Sequence, residues 1–290
     1  MERIKATFLL HALGDGLGEY PHLREDTKPI PPTDDTVMAL ALLEVLVESK
    51  KHDPQKVAQK YLYYLKKGIL KKVGYTTLEA LKRFETTKNW FYSGIACRHC
   101  AGNGVAMRIP PLGVWAYLGK LPLEEFIETV RAEGYITHRN ELAISGAFAV
   151  AYAVYLNLKE KLSKEETVKR VLQTMEHLGM ENPVKFAIEN ALHLKGWDGK
   201  SALQRLGSGG YIVETVGAVF YLFLSQGDFS EGLNLLWKVG GDTDTVGAIF
   251  GALYGSHYGL ENVPKTLIRR LEVKGKIEKL TEKLVSHFHP

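Results

Sequence analysis

Two short acidic clusters are the residues of this chain best suited to chemistry. The first, Thr33-Asp34-Asp35-Thr36, follows Pro31-Pro32 and leads into the apolar run VMALALLEVLV; the second, Asp242-Thr243-Asp244-Thr245, follows Gly240-Gly241 and leads into VGAIFGALYGSHYG. Thr and Asp are good helix N-caps, because their side-chain oxygens accept first-turn amides and the helix dipole favours negative charge there. A cap uses one residue, whereas each cluster sets two carboxylates beside two hydroxyls. Asp242 and Asp244 sit on a turn, so that with Thr245 they can face a common point. Two such helix starts repel one another on approach, and a divalent cation between them removes the repulsion. Hard oxygen donors of this kind suit Mg²⁺, Mn²⁺ or Ca²⁺ far better than zinc. Spacing alone leaves capping and cation binding both open for either cluster taken singly.

The elements that must position these clusters read as helices. Apolar residues recur at three and four, or fill the segment, over 6–12, 36–47, 54–67, 123–132, 143–156, 164–177, 183–191, 211–224, 229–239, 245–258 and 265–273, with Gly, Pro, Asn and Asp between them. The Lys and Glu runs at 159–170 and 274–283 read as solvated helical faces. No alternating run rich in β-branched residues is present, so almost no sheet is expected. Several segments are apolar all round and belong at the centre of the protein. The longest, 142–158, carries Ser145, Gly146 and Asn157 and falls short of the roughly 20 clean apolar residues a bilayer span needs. Gly247, Gly251 and Gly255 recur every four residues, which lets a central helix approach its neighbours closely. No linker composition or internal repeat divides the chain, so residues 1–290 are expected to form one all-α domain.

Composition narrows the function classes. Hydrophobic residues at 45% and charged residues at 24% exclude a disordered or fibrous chain. The 37 basic and 33 acidic residues leave +4, dispersed along the chain, which argues for neither nucleic acid nor membrane as a partner. Cys97 and Cys100 cannot form a secreted disulfide framework, and no basic, apolar leader opens the chain, so a reducing cytoplasm is the expected compartment. CRHC lacks the second ligand pair a zinc site requires, so both cysteines are expected as reduced thiols. An EF-hand beginning at Asp242 would need Glu where Leu253 stands. Asp242-Thr243-Asp244-Thr245-Val246 mimics the nucleophile loop of haloacid dehalogenase phosphatases, a reading that demands a strand before Asp242. Gly14, Gly16 and Gly18 resemble a dinucleotide fingerprint only superficially, since no strand precedes them.

Taken in order, GDGLGE at 14–19, TDDT at 33–36, GNGVAMRIPPLG at 102–113, THRNELAISGA at 137–147, GGYIVETVGA at 209–218 and GGDTDTVGAIFGALYG at 240–255 resemble the ADP-ribosylglycohydrolase family. That family includes the enzyme that reactivates dinitrogen reductase and the hydrolases that remove ADP-ribose from arginine or serine. The resemblance implies a single-domain, all-α orthogonal bundle of more than ten helices around a central dinuclear metal cleft. It implies two Mg²⁺ or Mn²⁺ ions held by Thr33, Asp34, Asp35, Asp242, Asp244 and Thr245. The GNGVAMR segment looks like the family's diphosphate loop, implying Gly102, Asn103 and Gly104 as substrate contacts. Cys100 and Val105 stand where the family often has small polar residues, and Cys100 joins the implied set. His138 resembles the family histidine near the diphosphate, and Gly210 and Tyr211 belong to an adenosine loop.

The catalytic carboxylates implied are Glu25 or Glu19, from the loop after GDGLG, with Asp35 at the metal centre. Residues 19–26 have Pro21 and no apolar periodicity, and with glycines 14, 16 and 18 as a hinge they read as a mobile lid. Glu25, with the longer spacing, is the favoured base. The activity implied is metal-dependent hydrolysis of the glycosidic bond between ADP-ribose and a protein side chain or small conjugate. The alternative is a relative of the same fold that binds ADP-ribose without hydrolysing its conjugates.

Overall fold

The computed structural model describes residues 1–288, and every regular element among them is helical. The α-helices are α1 (Glu2–Glu19), α2 (Asp34–Ser49), α3 (Pro54–Lys66), α4 (Tyr75–Thr87), α5 (Pro110–Gly119), α6 (Leu123–Tyr135), α7 (Glu141–Lys159) and α8 (Lys164–His177). They continue with α9 (Asn182–His193), α10 (Gly199–Leu206), α11 (Ile212–Ser225), α12 (Phe229–Val239), α13 (Thr243–Tyr258), α14 (Lys265–Arg269) and α15 (Lys274–Phe288). Local chemistry starts many of them. Asn140 accepts the amides of Leu142 and Ala143 at the head of α7, and Ser163 with Glu166 forms a capping box on α8.

α1, α2, α7, α11 and α13 carry the largest blocks of the buried core. Leu9, Leu10, Phe148, Phe220 and Phe250 are fully enclosed, and burying each such side chain contributes about 1.5–3 kcal/mol. The 18-residue window of α7 is long and apolar enough to cross a membrane, yet 78% of it is buried inside the protein. α1 and α13 run antiparallel in direct backbone contact. A Cβ at Gly14 would collide with Gly247, one at Gly251 with the Leu10 carbonyl, and one at Gly255 with the Ala6 carbonyl. The four-residue glycine spacing thus lays the N-terminal turn of α13 against the C-terminal half of α1, which brings the second acidic cluster to Asp15.

α1 runs on through the glycines to Glu19, seven residues beyond the expected end at 12. Glycine inside a helix costs roughly 0.5–1 kcal/mol relative to alanine, but Gly14 and Gly18 face the α13 backbone and Gly16 faces Ile30 and Pro31. Close packing outweighs propensity, and the glycines are fixed contacts, not a hinge. The 19–26 segment is likewise tied down. Pro21–Arg24 is a 3-10 turn with Leu23 buried, Arg270 donates to the Leu23 carbonyl at 2.5 Å, and Arg24 bonds Asn234. α4, α5 and α10 arise outside the segments that periodicity predicts, and α15 buries Ile277, Thr281 and Leu284 beneath its charged face.

Two further expectations are corrected. α12 and the positive-φ pair Gly240 and Gly241 (φ 83° and 96°) precede Asp242, so the strand required by a phosphatase loop is not there. Cys97 and Cys100 are bonded to each other as a disulfide. The turn in which Cys100 N–H donates to the Cys97 carbonyl at 3.2 Å brings their Cα atoms to 5.2 Å, well inside disulfide range.

Candidate active site

Three helix segments converge on one buried acidic centre. α1 contributes Asp15, the start of α2 Asp34 and Asp35, and the start of α13 Asp242, Asp244 and Thr245. Asp15, Asp35 and Asp244 each present an oxygen within 4.8 Å of the others. Asp15 is fully enclosed and accepts from Thr33 N–H at 2.9 Å, Thr36 N–H at 3.2 Å, and the hydroxyls of Thr33 and Thr36, both at 2.5 Å. It therefore caps α2 from another helix. The Thr33 hydroxyl also accepts the Asp35 amide at 3.3 Å, and Asp35 Oδ2 lies 3.3 Å from the same oxygen, whose one proton is given to Asp15.

The centre is short of positive charge. Burial, then the charge of Asp15, pushes the Asp34 carboxyl up to about 7. Burial pushes Asp15 to about 6, and burial with the neighbouring Asp242 pushes Asp244 to about 6. Asp35 is raised well above its ordinary value by burial and by three neighbouring aspartates, only partly offset by Thr245. Asp35 Oδ1 is buried with no hydrogen-bond partner, an arrangement that costs roughly 1–3 kcal/mol or more for a charged group. Oxygen-only donors, clustered negative charge and one orphaned carboxylate oxygen are what a hard divalent cation satisfies.

Opposite the acidic centre, two loops are zipped together. Ile212 N–H donates to the Ala101 carbonyl at 2.9 Å, and Asn103 N–H to the Gly210 carbonyl at 3.0 Å. Asn103 Nδ2 donates to Asp242 Oδ2 at 2.6 Å and Thr215 Oγ1 at 3.0 Å, tying the glycine loop to the acidic cluster. The amides of Gly102 and Gly104 make no hydrogen bond among the described residues and remain available to an anion. A Cβ at Gly104 would stand 2.9 Å from His138 Cε1, so glycine there lets the ring lie against the loop. Burial, with Arg108 nearby, lowers His138 to about 3, which leaves the imidazole neutral. The cleft is open to solvent on one side and about 350 Å³. The larger hollow beside Arg3 and His257, about 590 Å³, is lined by no buried carboxylate, so the polar chemistry concentrates in the smaller cleft.

Asp34, Asp35, Asp242, Asp244, Thr245, Gly102, Asn103, Gly104, His138 and Gly210 all border this cleft. Tyr211 stands at the start of α11, 45% exposed and outside the lining. Thr33 and Glu19 border a second groove of about 550 Å³ on the other side of Asp34 and Asp244. Glu19 pairs there with Lys72 at 3.3 Å. Glu25 is exposed at the end of the 3-10 turn and borders neither hollow. Cys100 also lies outside the cleft lining, and its sulfur, committed to Cys97, offers no thiol to a ligand.

Sequence reasoning passed over Asp15 as a site residue, because it stands between Gly14 and Gly16 beyond the expected helix end at 12. It also missed Lys72, Tyr75 and Thr77, which border the cleft from the α3–α4 connection and α4; an ordinary Lys72-Val73-Gly74-Tyr75-Thr76-Thr77 stretch carries no such signal.

The whole of residues 1–290 matches the family model described as ADP-ribosylglycohydrolase. Human ADP-ribosylhydrolase ARH3 is 26% identical over 279 residues, covering 83% of this chain and 75% of that protein. The ADP-ribosyl-[dinitrogen reductase] glycohydrolase of Rhodospirillum rubrum is 27% identical over 298 residues, covering 94% and 91%. A solved ADP-ribosylglycohydrolase-related protein complex superposes with a TM-score of 0.79 at 28% identity, over 99% of this chain and 98% of that one. The chain belongs to the ADP-ribosylglycohydrolase family of hydrolases.

Proposed function

We propose that residues 1–290 act as one domain, a metal-dependent hydrolase that cleaves the glycosidic bond between ADP-ribose and a protein side chain or small conjugate. The observation that carries this reading is the orphaned Asp35 Oδ1 in an all-oxygen centre, facing a glycine loop with free amides across one cleft. Thr33, Asp34, Asp35, Asp242, Asp244 and Thr245 would hold two Mg²⁺ or Mn²⁺ ions, with Asp15 fixing the α2 ligands from below. Bound there, the ions supply positive charge that orients ribose hydroxyls and steadies charge at the anomeric centre.

The chain's own residues do the remaining work. Gly102 and Gly104 donate amides to the diphosphate, Asn103 holds that loop against Asp242, and His138 closes the wall beside it. Breaking a glycosidic bond through an oxocarbenium-like state needs a proton for the leaving group and a base for water. Of the two loop glutamates we assign that task to Glu19, because it borders the groove it shares with Asp34 and Asp244, whereas Glu25 borders neither hollow. The test is ADP-ribose release from arginine-, serine- and acyl-linked substrates, before and after chelation. Release from one class that stops on chelation and returns with Mg²⁺ or Mn²⁺ supports the reading; no release from any class by the metal-loaded protein overturns it.

A further inference from the structure

The His138 ring is held by a chain of hydrogen bonds that starts at a fully buried arginine. Arg108 is 0% exposed. Its Nε donates to Glu133 Oε1 at 2.8 Å, its Nη1 to the Gly104 carbonyl at 2.7 Å, and its Nη2 to the Glu133 carbonyl and to Thr137 Oγ1, both at 3.0 Å. Glu133 is held in turn by the Tyr61 hydroxyl at 2.7 Å and His52 at 3.0 Å. The guanidinium therefore cannot turn without stranding a buried carboxylate.

The Thr137 hydroxyl has one proton to give. It accepts from Arg108, which is a donor only. His138 Nδ1, 2.7 Å away, is the one acceptor in reach of Thr137 Oγ1 among the described residues. Nδ1 therefore accepts, and a neutral imidazole must then carry its proton on Nε2. Nε2 has no hydrogen-bond partner among the described residues, and it faces the glycine loop. Cβ atoms built at Gly102 and Gly104 would lie 3.7 Å and 3.4 Å from it.

We propose that Arg108 is a positioning residue that, through Thr137, fixes His138 as its Nε2–H tautomer, so that this wall of the cleft offers a neutral hydrogen-bond donor to an anionic ligand oxygen. The same guanidinium holds the Gly104 carbonyl, so one buried side chain sets both the imidazole and the loop it faces. The lowered His138 pKa, from burial and then from Arg108, agrees with a ring that binds as a neutral donor. The ligand half of this inference, a phosphoryl oxygen of ADP-ribose, rests on the proposed function; the tautomer does not.

The experiment is long-range ¹H–¹⁵N correlation on the full chain labelled at histidine nitrogen, with His138 assigned by its loss in His138→Gln, alongside calorimetric titration with ADP-ribose. The wild type is expected to show protonated Nε2 and unprotonated Nδ1. Thr137→Val, near in shape but without the hydroxyl, should lose the single tautomer and bind ADP-ribose about tenfold more weakly, while Thr137→Ser restores both. A wild-type ring protonated on Nδ1, or on both nitrogens, overturns the inference, and that spectrum decides the tautomer even should Thr137→Val not fold. Unchanged ADP-ribose affinity in Thr137→Val overturns the inference alone. A wild type with the Nε2–H pattern that binds no ADP-ribose overturns the proposed function and the ligand half with it.

Discussion

The Asp15 carboxylate of α1 and the Thr36 hydroxyl of α2 lie 2.5 Å apart, and through this contact one helix caps the other beneath the acidic centre. Because Asp15 also receives both amides and the Thr33 hydroxyl, Asp15→Ala strips α2 of its cap and leaves buried donors unmatched. Loss of a cap costs about 1 kcal/mol and each stranded donor roughly 1–3 kcal/mol, while relief of like-charge repulsion offsets part. A net destabilisation of about 2 kcal/mol in urea unfolding with Mn²⁺ present is expected. A change within about 0.5 kcal/mol, the range of ordinary surface substitutions, would mean that Asp15 does not hold α2.

Metal removal should show a definite pH signature. A carboxyl whose folded pKa is raised keeps its proton in the folded protein, and stability from that form is lost as pH rises through the folded value. For Asp34 the window runs from 3.8 to about 7, and for Asp15 and Asp244 from 3.8 to about 6. A divalent cation replaces those protons, so binding releases them and strengthens with pH. The melting-temperature gain from Mg²⁺ or Mn²⁺ over EDTA should therefore be larger at pH 7.5 than at pH 5. The histidines lowered by burial, His11, His138 and His257, shift absolute stability the other way but cancel in this difference. A gain that shrinks from pH 5 to pH 7.5 would remove the acidic centre as the metal site.

Ligand identity is tested by comparing two aspartates. Asp244 is a member of the convergent triad, whereas Asp26 is a loop carboxylate that accepts from its neighbours Thr27 and Lys28. Asp244→Ala should weaken Mn²⁺ binding by at least about 100-fold, the upper range seen even for outer-shell changes; Asp26→Ala should leave it unchanged. Equal calorimetric affinities in the two variants would reduce the second cluster to a helix cap.

Much of this architecture is legible where the chemistry is local. Thr33–Thr36 and Asp242–Thr245 announce themselves because carboxylates and hydroxyls crowd two helix starts, and Gly247, Gly251 and Gly255 mark the face on which α1 lies. Asp15 escapes notice because its partners stand 18 and 21 residues away, and flanking glycines disguise its helix as a loop. The Arg108–Glu133 pair is hidden for the same reason, since nothing in GNGVAMR says that its last residue is enclosed. Close packing of α1, at Gly14 and Gly18 on α13 and at Gly16 on Ile30 and Pro31, converts three apparent helix breakers into contacts, an outcome that propensity, a local quantity, does not contain.

That packing is itself testable. A methyl group at Gly251 meets the Leu10 carbonyl, so Gly251→Ala must push α1 from α13, at a cost of about 1–3 kcal/mol typical of overpacking. Gly275 lies in α15 with no atom within 4 Å of an added Cβ, so Gly275→Ala should instead stabilise by up to about 1 kcal/mol through helix propensity. Chemical denaturation of both variants is the measurement. Similar effects of one sign would show that the glycine face is not the contact that holds the two helices together.

The remaining prediction concerns the carboxylate that serves the reacting bond. Such a group must come within a hydrogen bond, or one water, of the anomeric centre, and removing it typically lowers turnover by about 10²–10⁴. Glu19 ends α1 on the rim of the groove it shares with Asp34 and Asp244, and its partner is Lys72 at 3.3 Å. Lys72 borders both the cleft and this groove, so the assignment asks one flexible ammonium to move aside and Glu19 to turn along the groove towards Asp34 and Asp244. Glu25 has no comparable route, because the 3-10 turn that precedes it is pinned by buried Leu23 and by Arg270. Longer sequence spacing favours Glu25 only if the loop folds back, and that turn holds it outward. Glu19→Gln should therefore keep metal and ADP-ribose binding while losing at least about 100-fold in kcat on whichever conjugate the protein hydrolyses. Glu25→Gln should stay close to wild type. The reverse order would return the role to Glu25 and require the 19–26 segment to open, and full turnover in both variants would exclude this loop as the source of the base.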